Sequence, residues 1–173
     1  MRQQQYTLQR ILAGLYTGLH NHDYRTLTLW SRRLLRPLTP RADQVTVRPY
    51  RRKWDYNVPP NFAAACKNGE EVVICRRFWR GVQEWANGTW YGVFLLLHEL
   101  GHVVAAETQA TANYNTDRLA RDASEFFAEF FALCIWRLAG RPLTHPLHTT
   151  YLGHYGPIMA QLQTAYREVC HAN

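Results

Sequence analysis

The sequence predicts an α+β fold, a small sheet held among helices, and three observations lead there. Helical periodicity dominates both ends of the 173-residue chain, and short β-patterned runs occur only between them. Turn and breaker residues separate these stretches. The order helices, small sheet, helices is that of an α+β chain, not of an alternating one. The length suits a single domain over residues 1–173, large enough to bury a core. At 47% hydrophobic and 19% charged residues, wholesale disorder is excluded.

The elements follow in order. Tyr6, Ile11, Leu12, Leu15 and Leu19 recur at helical spacing and predict a helix over residues 3–20. His20-Asn21-His22-Asp23 breaks it, and Asp23 is placed to cap a second helix from Tyr24 to Leu35. Arg36-Pro37-Leu38-Thr39-Pro40 ends that helix, because proline lacks an N–H and restricts its neighbour. Val45-Thr46-Val47 reads as a short strand, and Pro59-Pro60 as a break. Phe62–Cys66 and Glu70–Cys75 read as a hairpin about Asn68-Gly69. A two-residue turn there would set Cys66 opposite Glu71. A disulfide from Cys66 to Cys75 across the hairpin is therefore disfavoured, and the four cysteines are expected as free thiols. A short helix is expected over Phe78–Trp85, with a turn at Asn87-Gly88. Long helices are expected from Trp90 to Ala106 and from Arg118 to Leu138, the second stopped by Gly140-Arg141-Pro142. Thr108–Thr116 and His145–Pro157 read as loops, and Ile158–Cys170 as a terminal helix.

The charge is uneven. Residues 1–60 hold 11 basic and 3 acidic residues, net +8, while residues 61–173 are close to neutral. Arg48, Arg51, Arg52 and Lys53 cluster around Tyr50, Trp54 and Tyr56. Basic and aromatic residues so interleaved suit nucleic acid or an acidic partner. The competing reading is a solvated face with arginine stems laid on aromatic rings. No stretch is long and apolar enough for a membrane span, and the first residues do not pattern as a signal peptide. This leaves the location open between the cytoplasm and export as an effector, since a mature secreted form or a domain cut from a larger polypeptide would look the same.

The strongest chemical signal is His98-Glu99-Leu100-Gly101-His102. Residues four apart share a helix face, so both imidazoles can reach one cation. Neutral imidazole is a good zinc ligand, and Glu99 adjoins the pair as a candidate general base. The run Val93–Leu97 before it would bury this helix, and buried polar groups need partners. A catalytic zinc site needs a third protein ligand. The next helix carries Asp122, Glu125 and Glu129 on one face among phenylalanines 126, 127, 130 and 131. We assign Glu125 as third ligand. Glu129 would accept a hydrogen bond from a liganding histidine, with exchange of these two roles as the alternative. Asp122 could take that accepting role, or cap the helix and pair with Arg118. The bland alternative is a set of salt-bridged helix acids, with Arg121 and Arg137 as partners.

These residues resemble the zincin metallopeptidases, specifically the glutamate-ligand group called gluzincins. The pattern is His98-Glu99-x-x-His102 followed by Glu125-x-x-Ala128-Glu129. It looks most like the metallopeptidase domain of ArdC-type antirestriction proteins, and is similar to short metallopeptidase domains of bacterial effectors. The resemblance covers residues 90–138. It implies a small twisted sheet packed on the HExxH helix, with Phe62–Cys66 or Glu70–Cys75 as an edge strand that pairs with extended peptide. It also implies a downstream histidine or tyrosine that stabilises the oxyanion. His145, His148, Tyr151, His154 and Tyr155 are the pool, with Tyr151 and His154 chosen. The expected function is a zinc-dependent endopeptidase: Zn²⁺ on His98, His102 and Glu125, with Glu99 as general base. Two roles compete with it. One is a nucleic-acid-associated antirestriction protein that binds through residues 1–60. The other is a toxin or effector peptidase delivered into another cell, with an inhibitor or carrier protein as partner.

Overall fold

A computed structural model of the chain describes residues 2–58, 62–75, 91–108, 123–141 and 156–171. Helix α1 spans Arg2–His20 and α2 spans Tyr24–Leu35. A short 3-10 turn, Pro40–Gln44, leads into β1, Thr46–Pro49. Strands β2, Ala64–Lys67, and β3, Glu71–Ile74, complete a three-stranded sheet among the described residues. Helices α3, Tyr91–Thr108, α4, Ala123–Leu138, and α5, Gly156–His171, follow. This is the α+β architecture that the sequence patterning predicts. The expected helix at Phe78–Trp85, the start of the 118–138 helix, and the body of the loops at 108–116 and 145–157 lie outside the described residues.

Local chemistry accounts for the first elements. Asp23 caps α2: its carboxylate accepts from the Thr26 N–H at 3.0 Å and from the Thr26 hydroxyl at 2.6 Å. These bonds hold the Asp23 carboxyl below the usual range. On α1, Ile11, Leu12, Leu15 and Leu19 are buried as their spacing predicts, but Tyr6 is exposed and Leu8 takes the buried place beside them. Gly14 is where α1 and α2 close up, since a Cβ there would fall 2.2 Å from the Trp30 ring. Helix α2 is tied to β1 by the Thr28 hydroxyl, which accepts from the Val47 N–H at 2.9 Å. The Arg32 Nε–H donates to the Val45 carbonyl at 2.8 Å. The basic N-terminal helices are thus part of the same core as the rest, and one contiguous apolar cluster runs from Leu8 to Tyr166.

The strand order is β1-β3-β2, with β1 parallel and β2 antiparallel to β3. The chain leaves β1 at one edge, re-enters as β2 at the other, and turns back as β3 into the middle. Cys66 lies opposite Val72, and Lys67 opposite Glu71. This corrects the expected register by one residue. Asn68 and Gly69 do take positive φ, 55° and 70°, as a tight turn requires. Glu70 joins the turn instead of pairing, and its carbonyl is engaged by the Thr46 N–H as β1 begins its pairing with β3. Cys66 and Cys75 stay apart, and both are free, as is the buried Cys134.

Strand alternation divides the sheet. Val47, Val72, Ile74, Ala64 and Cys66 face the helical core. Arg48, Glu71 and Lys67 are on the other face, where Asp55 from the β1–β2 connection gathers them. Asp55 is fully buried. It accepts from Arg48 at 2.7 and 2.8 Å, from the Lys67 ammonium at 2.9 Å and from the Arg51 N–H at 2.7 Å. Arg48 also grips Glu71 at 2.7 and 2.9 Å. One carboxylate therefore links β1, β2 and the loop after β1, and Arg48 carries the link to β3. The Arg48 contact, with help from Lys67 and the Arg51 N–H, outweighs burial and holds the Asp55 carboxyl well below the ordinary range.

Removing one partner of such a buried pair strands a charge. Asp55→Ala is expected to cost roughly 3–5 kcal/mol in urea denaturation. Because the folded-state pKa of Asp55 is depressed, its contribution is full above the unfolded value of about 4 and fades as pH falls toward the folded one. The stability gap between wild type and Asp55→Asn should therefore be constant near neutrality and shrink below about pH 4. A gap independent of pH would mean that the charge of Asp55 is not what holds the sheet.

Candidate metal centre

The site begins with two helices that are apolar nearly all round. On α3, Val93, Phe94, Leu96, Leu97, Leu100, Val103 and Val104 are buried. On α4, Phe127, Phe130, Phe131, Leu133, Ile135 and Trp136 are buried. The pair is locked further along by the edge-to-face contact of Phe94 with Trp136, centroids 6.0 Å apart. Polar side chains on such helices must find partners in each other or in a ligand.

The helices meet at their smallest residues. A Cβ on Gly101 would lie 2.7 Å from the Ala128 Cα and 3.0 Å from its carbonyl oxygen. Gly101 stands between His98 and His102, and Ala128 between Glu125 and Glu129. The two small residues thus draw together the backbones that carry both pairs of polar side chains. This contact has a sequence signal, a glycine inside the first motif and an alanine inside the second, but its role is visible only once the helices are packed.

Across that contact the side chains converge. His98 Nε2 lies 3.1 Å from Glu125 Oε2, and His102 Nε2 lies 3.2 Å from Glu125 Oε1. One donor atom from each of His98, His102 and Glu125 falls within 4.8 Å of the others. The imidazole rings stand nearly perpendicular, 80° apart with centroids at 5.0 Å. On its far side, His98 Nδ1 lies 3.1 Å from Glu129 Oε2. A carboxylate can only accept there, so this contact keeps a proton on Nδ1 and aims Nε2 inward. Glu125 and Glu129 thus face one ring nitrogen of His98 each. Burial disfavours the charged form of His98, but hydrogen bonds to Glu125 and Glu129 outweigh it and push the ring up to about 10. The same histidines hold the Glu125 carboxyl far below its ordinary range.

Glu99 lines the same cavity of about 510 Å³, together with Ala64, Ala65, Cys66 and Gly69 from the β2 hairpin. Its carboxyl is raised by burial, against the pull of His98 and His102. The Cys66 backbone N–H favours its charged form slightly, a smaller effect than burial. The meeting of Glu99 and Cys66 in one cavity wall was not foreseeable, since the two are 33 positions apart in sequence. Burial also pushes the Cys66 thiol up to about 12, so it enters the cavity wall as a neutral thiol.

Two imidazoles and a carboxylate on converging helices form a donor set of the kind zinc takes, and the spread of their atoms suits one ion between them. Asp122, Tyr151 and His154, the remaining residues singled out from the sequence, lie outside the described residues. No helix among the described residues is long and apolar enough to cross a membrane. No protein-family model, curated protein or solved structure matches the chain.

Gly101→Ala should test the helix contact. Alanine favours an isolated helix by about 1 kcal/mol over glycine, but the clash is with backbone, where overpacking costs roughly 1–3 kcal/mol. A net loss of stability on urea denaturation is expected. A gain would mean that α3 and α4 do not approach at this point.

Proposed function

We propose that the protein is a zinc-dependent endopeptidase of zincin type, with His98, His102 and Glu125 as ligands and Glu99 as general base. The observation that carries this reading is the convergence of three donor atoms beside a buried carboxylate in one open cavity. Zinc, when bound in such a site, acts as a Lewis acid and lowers the pKa of water to about 7.

The chain's own residues supply the rest. The two Nε2 atoms and Glu125 would hold the ion, and Glu129, accepting from Nδ1 of His98, would fix the tautomer that turns Nε2 toward it. Glu99 faces the same cavity. Its carboxylate takes the proton of the attacking water as a peptide carbonyl is hydrolysed, and returns it to the departing amine. β2 has β3 as its sole strand neighbour among the described residues, and it borders the cavity. An extended peptide pairing along its other edge would pass beside Glu99. Tyr151 or His154 is the proposed oxyanion donor, as the family resemblance implies.

Metal analysis of protein purified without chelator or affinity metal should find about one zinc per chain. Glu125→Ala should lose it, and Glu129→Gln should bind it roughly 10–100-fold more weakly. Glu99→Gln should keep the zinc and lower peptide hydrolysis by about 10²–10⁴-fold. Full activity in Glu99→Gln would remove it as the base. Absence of zinc from the wild type, with none taken up on addition, would end this reading.

A further inference from the structure

The network around Asp55 leaves a cationic and aromatic surface next to β2, outside the metal centre. Arg51, Arg52, Lys53, Trp54 and Tyr56 all point into solvent around the buried Asp55. Trp54 is 59% exposed and Tyr56 87% exposed. The loop is anchored rather than loose. Asp55 accepts from the Arg51 N–H at 2.7 Å, the Val58 N–H donates to the Asp55 carbonyl at 3.0 Å, and Val58 is buried. Arg51 lies over the Trp54 ring, 4.7 Å from its centroid. A rigid display of cations and aromatic rings costs little ordering when a ligand arrives.

Its charge is compact. Nearby cations are already committed to acids: Arg36 to Asp43, Arg41 to Glu70, and Arg48 and Lys67 to Asp55 and Glu71. Arg51, Arg52 and Lys53 face no carboxylate partner among the described residues. Within this loop the charge without an acid partner sits on three consecutive residues, a compact cluster that suits a few carboxylates of one peptide. It also adjoins the strand that borders the candidate metal cavity. The Lys67 ammonium of β2 donates to the Trp54 carbonyl at 3.1 Å, and Ala64–Cys66 of the same strand line the cavity. Alternate residues of an extended peptide along β2 would point to the sheet face that carries this loop.

We propose that the Arg51–Tyr56 loop is a docking surface for acidic side chains of an extended peptide lying along β2, and so selects acidic segments as substrates. This rests on the peptidase reading for the fate of the bound peptide, but not for its binding.

The test uses the full chain carrying Glu99→Gln, so that nothing is cleaved. Three fluorescein-labelled probes are compared by anisotropy: a peptide alternating threonine and glutamate, its threonine–lysine counterpart, and an oligothymidylate. The glutamate peptide should bind about tenfold more tightly than the lysine peptide at low salt, an advantage that shrinks as salt is raised. Arg52→Glu with Lys53→Glu should abolish or invert that preference, and Arg52→Gln with Lys53→Gln should reduce it. Both pairs are exposed and stand outside the Asp55 network, so near-UV circular dichroism should be unchanged. Equal binding of the two peptides, or a preference that survives the reversal, would overturn the proposal. So would oligothymidylate binding more tightly than the glutamate peptide and weakening on reversal, which would give the surface to nucleic acid. Zinc content is read separately. A chain that neither holds nor takes up zinc but still prefers the acidic peptide would refute the peptidase reading, and with it the selection of substrates, and leave the docking surface standing.

Discussion

The close approach of α3 and α4 at Gly101 and Ala128 is the constraint on which the rest of the site depends. A larger residue at either place would part the helices, and the distance from His98 and His102 to Glu125 and Glu129 would grow with the separation. The apolar faces of both helices supply the force that holds them together, through Phe94, Leu97, Phe130, Phe131 and Trp136. The polar groups oppose it, because burial disfavours their charged forms. That opposition is met by mutual contact. Each ring nitrogen of His98 faces a carboxylate, and Glu125 spans both histidines. A cation between them would meet it more fully, which is the physical basis of the proposed zinc site.

The other wall of the cavity is built on a different principle. Strand β2 is only four residues long and has one strand neighbour among the described residues, so pairing alone would hold it weakly. Its core face is held by packing of Ala64 and Cys66, and its outer face by Lys67 on Asp55. Asp55 thereby connects the placement of β2 with that of the cationic loop. Cys66 of β2 and Glu99 of α3 line the same cavity. The arrangement of the cavity thus depends on an ion network on the far side of the sheet, several residues removed from any group with a chemical role.

Much of this was legible from residue order. The His98–His102 spacing, the Glu125–Glu129 spacing and the Asp23 cap are local patterns, and a helix turns local spacing into geometry without tertiary information. The apolar surroundings of both motifs foretold that their polar groups would face each other. What could not be read was non-local. Arg48 looks like one more member of a basic run, yet it turns inward to Asp55 and Glu71, because strand alternation puts it on the same face as they are. Asp55 carries no local sign of burial. The one-residue shift of the hairpin arises because Glu70 is drawn into the turn where β1 joins β3, a parallel pairing across more than twenty residues of sequence. The Gly101–Ala128 contact lay within the motifs themselves, but only packing shows that smallness was the property in use.

The central claim is that one ion lies between α3 and α4 on His98, His102 and Glu125. Anomalous diffraction at the zinc edge, from crystals of the full chain grown with zinc, tests it most directly. The account predicts a single strong peak about 2.0–2.2 Å from both Nε2 atoms and from a Glu125 carboxylate oxygen, with His98 Nδ1 still on Glu129. A peak on other residues, or none at this site while His98 and His102 keep their contacts with Glu125, would contradict it.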